Sequence, residues 1–212
     1  MDASKVTDTY LSIAIGNSGS NLLRFDKKGN LKPDLAKKVE VSSDGLTYTA
    51  TLRNNLKWSD GSDLTAQDIV YSWQRIVDPK TASEYAYLTQ DAHLLNADEV
   101  IAGKKPLSDL GVKAQGNKII FTLSKPAPQF KNLLSFANFV PQKKAFVDKT
   151  GDNYGTASKY SLYSGTYKVE AWNGTSSTSK LVKNNNYWDA KYDKTKTSTV
   201  KTIKKSKTVI QK

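Results

Sequence analysis

The stretch from Ala36 to Trp73, AKKVEVSSDGLTYTATLRNNLKWSDGSDLTAQDIVYSW, constrains the fold more than any other part of the chain. Val39 and Val41 alternate with polar residues, Ser42-Ser43-Asp44-Gly45 supplies turn chemistry, and Leu46, Tyr48, Ala50 and Leu52 alternate again. This pattern predicts a β-hairpin with one buried face. A corner at Leu56-Lys57-Trp58-Ser59-Asp60-Gly61 follows, then a helix from about Ala66. Thr65 is the predicted N-cap, with Asp68 three residues on in a capping-box-like start. Ile69, Val70, Trp73, Ile76 and Val77 make an apolar stripe at helical spacing, and Pro79 forbids further helix. The predicted unit is a hairpin packed on an amphipathic helix, and none of its groups is set up for reaction.

The flanking sequence alternates between helix and strand signals. Residues 1–19 are polar and small with an apolar patch at Leu11, Ile13 and Ile15, and Gly16-Asn17-Ser18-Gly19 reads as a loop or helix end. It has no Lys-Ser/Thr after its glycines, as a phosphate loop requires. Leu22 to Phe25 reads as a strand entering the turn Asp26-Lys27-Lys28-Gly29-Asn30. Short helices are predicted over Thr81–Gln90, over residues 94–103 and over Lys143–Lys149, and an apolar one opening at Pro126 and Pro128. Leu110 to Leu123 is a second hairpin around Gln115-Gly116-Asn117. From Gly151 a polar, Tyr-rich stretch reads as a crossover, after which Thr166–Trp172, Lys180–Val182 and Thr197–Ile203 read as strands. The class is α/β in the broad sense, mixed with α+β.

At 212 residues the chain can bury a real core in one large or two small domains. No run approaches the roughly 18 apolar residues of a membrane helix, and there is no cysteine for disulfide or thiolate chemistry. The net charge is +12, from 32 Lys+Arg against 20 Asp+Glu. The lysines crowd the tail at Lys191, Lys194, Lys196, Lys201, Lys204, Lys205, Lys207 and Lys212, spaced by Thr, Ser and Val with few aromatics. That spacing reads as a solvated strand face or surface-adhering tail, and nucleic acid is not expected as a partner. The lone histidine, His93, has no Gly-x-Ser-x-Gly turn to serve, so a surface or structural role is expected. One His and no Cys leave no metal-ligand set. Trp58, Trp73, Trp172 and Trp188 read as core, while Tyr85, Tyr87, Tyr160 and Tyr163 lie in polar stretches where a phenol can meet a ligand.

Several ordered motifs carry a resemblance. They include Asp44-Gly45-Leu46-Thr47-Tyr48, Leu52-Arg53, Lys57-Trp58-Ser59-Asp60-Gly61, Thr65-Ala66 with Asp68, and Val70-Tyr71-Ser72-Trp73-Gln74-Arg75. Asp78-Pro79-Lys80-Thr81-Ala82-Ser83-Glu84-Tyr85-Ala86, Gly165-Thr166-Tyr167 and Asn186-Tyr187-Trp188-Asp189 continue it. Together they resemble the extracellular oligopeptide-binding proteins of ABC importers. The resemblance implies a periplasmic-binding-protein-like clamshell that closes on an extended peptide, gripping its main chain as in strand addition. It implies no enzymatic activity and no cofactor. Its implied partners are oligopeptides and the ABC importer permease subunits, at the surface of a Gram-positive bacterium. Membrane association would come only through a lipid anchor that this chain lacks. Residues 1–19 and 151–212 correspond to part of the first lobe, and 20–150 to the small side domain; the second lobe has no counterpart here. Implied ligand contacts are Thr7, Asp8 and Thr9, after the Leu-Asp-like start Met1-Asp2, and Tyr85 of the Thr-Ala-Ser-x-Tyr motif. The family often carries an acid where this chain has Thr7. A non-transporting adhesion or scaffold protein of the same origin is the alternative.

Overall fold

The computed structural model describes residues 1–176, 178–189 and 197–201. Regular structure begins with a helix, α1 (Thr9–Ser18), which ends inside residues 16–19, where the sequence read a loop or helix end, and whose earlier turns the sequence did not indicate. The Asp8 carboxylate caps it by accepting the Leu11 N–H at 2.9 Å. Gly19 ends it, its N–H donating to the Ile15 carbonyl. Ala14 and Ile15 are buried whereas Ile13 is exposed, so the helix shows no single apolar stripe. Strands β1 (Leu23–Phe25) and β2 (Leu31–Pro33) then form a small ribbon. The Asp26 carboxylate organises its turn, accepting the N–H groups of Lys28 and Asn30 at 2.8 and 2.9 Å.

The expected hairpin is β3 (Ala36–Val41) with β4 (Thr47–Leu52), in the register Val39↔Ala50 and Val41↔Tyr48. Helix α2 (Ala66–Val77) starts where Thr65 and Asp68 indicated. The Asp68 carboxylate accepts the Thr65 N–H at 2.9 Å and the Trp58 indole N–H at 3.3 Å. Burial pushes the Asp68 carboxyl above its ordinary value, and those two donors oppose the shift. Ile69, Val70, Trp73, Ile76 and Val77 are all buried.

The next helices are shorter than their sequence pattern. Over Thr81–Gln90 the helix that forms is α3 (Tyr87–Asp91), which starts late; Ala82, upstream, takes a left-handed φ of 52° that no helix continues through. Helix α4 (Ala97–Ile101) is bounded by Asn96 at φ 63° and Gly103 at φ 69°. Strands β5 (Val112–Gln115) and β6 (Lys118–Thr122) make the second hairpin. It joins the first through β4 and β6, giving one antiparallel sheet in the order β3-β4-β6-β5. Tyr48↔Phe121 and Ala50↔Ile119 place the buried residues of both hairpins on one face.

Helix α2 lies chiefly on β5 and β6, not on the hairpin that precedes it in sequence. The Trp73 ring sits 4.8 Å from Phe121, 4.3 Å from Phe139 and 5.6 Å from Phe130. The unit expected from residues 36–77 is therefore not self-contained. Its helix is completed by a hairpin and an aromatic turn that come later in the chain. The helix expected after Pro126 and Pro128 is a single turn, α5 (Phe130–Leu133), and α6 (Lys144–Thr150) matches its prediction within a residue.

A second sheet runs β7 (Tyr167–Glu170), β8 (Thr178–Lys183) and β9 (Thr197–Lys201), all antiparallel and in that order. Lys201 closes β9. The remaining tail lysines named above lie outside the described residues. The crossover before this sheet is stitched down: Ser158 N–H donates to Trp172 O at 2.9 Å, Ser59 N–H to Tyr163 O at 2.9 Å, and Gly165 N–H to Ser18 O at 2.8 Å. Gly155 is needed there, since a Cβ at its φ of 74° would come 2.4 Å from the Asp2 nitrogen.

The largest apolar cluster runs from Leu22 to Phe139, with Leu162 and Trp188 packed on its edge. Two smaller clusters join Tyr163, Tyr167, Val169, Trp172 and Leu181, and Ala3, Val6, Ile15 and Val140. A buried carboxylate ties the end of the second sheet to the first core. Asp34 accepts the Tyr187 O–H and the Trp188 indole N–H, both at 2.8 Å, and Arg53 lies 3.6 Å over the Trp188 ring. Burial, followed by the Asp34 charge, pushes the Tyr187 phenol well up. His93 takes a left-handed turn, at φ 55°, with its carbonyl accepting the Ser124 N–H at 2.8 Å.

Candidate functional site

Thr7, Asp8 and Thr9 form the entry to α1, and all three are exposed. Asp8 has a structural task as the cap, so its carboxylate already holds one donor. Thr9 is the first helical residue, whose N–H an α-helix cannot satisfy internally. Thr7 and Asp8 line a cavity of about 430 Å³ together with Lys5, Arg75, Asp152 and Tyr154.

The wall of this cavity is an ion pair that the sequence did not indicate. Both Arg75 terminal nitrogens donate to Asp2, each at 2.6 Å, and one also donates to Gln142 Oε1 at 2.9 Å. Gln142 in turn donates to Ser4 Oγ at 2.7 Å. The guanidinium stands 5.2 Å from the Tyr154 ring centroid, and burial pushes the Tyr154 phenol far up. Asp2 and Arg75 are thus consumed in holding the first residues against α2, leaving Thr7 to Thr9 as the presented surface.

Tyr85 is not part of that cavity lining. It is half-buried, with its N–H donating to Ser83 Oγ at 3.2 Å and its ring 5.7 Å from Phe136. The turn that carries Phe136 reaches the other contact stretch as well. Asn138 is buried and its side-chain amide donates to the carbonyls of Ala3 and Val6, at 2.8 and 3.1 Å. One turn, residues 136–139, therefore touches Tyr85 on one side and the backbone just before Thr7 on the other. Phe136 falls in the apolar stretch read as a helix after Pro126 and Pro128, which marked it as core and not as site, and Asn138 carried no signal. Among the described residues no three His, Asp or Glu side chains converge as a metal site would require, and no helix is long and apolar enough to cross a membrane.

Exposed main-chain and hydroxyl groups thus stand at a helix entry, and the Tyr85–Phe136 pair is joined to that stretch through the 136–139 turn. The fold is of the periplasmic-binding-protein-like class: a structure of Listeria monocytogenes OppA bound to peptide superposes with a TM-score of 0.91 at 35% identity, over 95% of this chain and 40% of that one. The pheromone receptor PrgZ superposes equally well, at 0.91 and 32% identity, over 96% and 41% of the two chains. Residues 30–212 match the bacterial extracellular solute-binding proteins, family 5 (middle), and the chain belongs to that family. The dipeptide-binding protein of Lactococcus lactis subsp. cremoris is 45% identical over 200 residues, covering 92% of this chain and 36% of the relative. The periplasmic oligopeptide-binding protein OppA of Salmonella typhimurium is 44% identical over 169 residues, covering 79% and 31%. The chain thus spans well under half the length of these relatives.

Proposed function

We propose that the chain supplies the first-lobe and side-domain portion of a peptide-binding component of an ABC importer, with oligopeptides and the importer's permease subunits as partners. The observation that carries this reading is the superposition on a peptide-bound relative over 95% of the chain, with Thr7, Asp8, Thr9 and Tyr85 presented at the surface. The family's description as extracellular solute-binding proteins supports a setting outside the cytoplasm, and the Lactococcus relative supports a Gram-positive one. Residues 20–150 act as the side domain, and 1–19 with 151–212 as the lobe portion. The largest cluster, confined to 22–139 apart from two edge residues, supports that division.

Binding by this chain alone is expected to be weak. Each main-chain hydrogen bond exchanged against water is worth only about 0.5–1.5 kcal/mol net, while the ordering cost of the peptide remains. Titration calorimetry with peptides of about four to eight residues should give dissociation constants no tighter than about micromolar. At millimolar tetra-alanine, amide resonances of the first turn of α1 should still shift. Thr9→Pro is a clean probe of the donor. Proline is accommodated at a first helical position, and Asp8 already has the extended φ of −89° and ψ of 147° that a following proline demands. The helix should survive, and the tetra-alanine response should be lost. An unchanged titration in Thr9→Pro, or no response in the parent chain, would refute main-chain capture at this turn.

A further inference from the structure

Phe136 is a large apolar ring left 38% exposed on a segment that is otherwise firmly fixed. Its carbonyl accepts the side-chain amide of buried Asn21 at 2.9 Å and the N–H of Phe139 at 3.0 Å. On its inner side the ring meets Phe139 at 6.4 Å, which is fully buried and packs on Trp73 at 4.3 Å. On its outer side it meets Tyr85 at 5.7 Å and a tilt of 59°. The rings therefore form a run from the centre of the core to the surface, ending in a tilted pair. A pair mounted this way has already lost its rotamer freedom, so covering its open face carries little further ordering cost. Its Tyr member keeps a hydroxyl for a polar neighbour.

We propose that Phe136 and Tyr85 form an aromatic shelf that receives an apolar or aromatic side chain of the bound peptide, making Phe136 a specificity-determining residue. The inference rests on the peptide-binding reading above, in which Tyr85 is a contact. The occupant is argued from position. Phe136 lies 5.7 Å from the proposed contact Tyr85, and Asn138, two residues after Phe136, holds the backbone leading to Thr7. A peptide held along its main chain would thus bring a side chain over the rings. A Phe, Tyr, Leu or Met side chain buries its area there, whereas an Asp or Glu side chain meets the negative faces of two rings with no charged partner among those contacts.

The test uses the full chain and three probes, followed by NMR: N-acetyl-phenylalaninamide, N-acetyl-alaninamide and tetra-alanine. The phenylalanine amide should shift the ring resonances of Tyr85 and Phe136, and the alanine amide should not. Phe136→Ser should weaken the phenylalanine amide about three- to tenfold, the range expected for losing one aromatic contact. Phe136→Leu, which keeps apolar bulk, should weaken it less and controls for any unfolding in the serine variant. If the two amides act alike on these rings, the shelf is overturned, even where tetra-alanine still titrates the first turn of α1. If the phenylalanine amide binds at the rings and tetra-alanine shifts nothing, the shelf stands and main-chain peptide capture falls.

Discussion

Trp73→Ala is expected to destabilise the protein by about 3–5 kcal/mol, the usual range for truncating a large buried aromatic. The expectation rests on position: the ring is fully buried and meets Phe121, Phe130 and Phe139 within 5.6 Å. Its loss empties the seam where α2, β6, α5 and the 136–139 turn converge. Trp73→Phe should cost much less, because the indole N–H has no hydrogen-bond acceptor among the described residues and so no bond is given up. Urea unfolding of both variants measures the difference. A midpoint for Trp73→Ala equal to that of the parent chain would mean that α2 is not seated as described.

Arg75→Ala should rank second. Removing one member of a buried, doubly hydrogen-bonded pair leaves an uncompensated charge and typically costs about 3–5 kcal/mol. Here the two side chains are only 12% and 13% exposed. The double variant Asp2→Ala, Arg75→Ala should recover part of that loss, since it leaves no stranded carboxylate. The pair also bridges the two proposed units, residues 1–19 and 20–150. Hydrogen exchange in Arg75→Ala should therefore accelerate first in α1, with the amides of α2 still protected. Simultaneous loss of protection in both helices would argue against dividing the chain there.

Both hairpins and the start of α2 were legible in the sequence because their signals are local. Alternation in 46–52 and 119–123, and the Thr65–Asp68 spacing, depend on neighbours a few residues away. Helix α1 was hidden for the opposite reason. Its apolar residues face several directions, so periodicity fails, and the capping role of Asp8 emerges only from the structure. The helix read over Thr81–Gln90 forms but starts late, at Tyr87, and the left-handed Ala82 upstream of it carries no compositional signal. The side helix after Pro128 shrank because Phe130, Leu134 and Phe139 serve the core as a compact turn rather than as a helical stripe. At the site, Thr7, Asp8 and Thr9 came from resemblance alone; Tyr85 stood out locally only as one of four tyrosines in polar stretches, and the resemblance picked it from them. The Asp2–Arg75 pair and the Asp34 latch join residues 73 and 153 or more positions apart, which no window along the sequence can see.

The seating of α2 on the later hairpin has a consequence for biosynthesis. The helix is complete at Val77, whereas β5 and β6 end at Thr122 and the rings of Phe130 and Phe139 come later still. At about 5–20 residues per second, its apolar stripe emerges from the ribosome seconds before anything can cover it. That interval makes the stripe a natural landing place for a chaperone. Nascent chains stalled with Pro79 just outside the exit tunnel should be crosslinked there, and chains extended past Gln142 should not. Equal crosslinking at both lengths would mean that α2 finds its cover without the second hairpin.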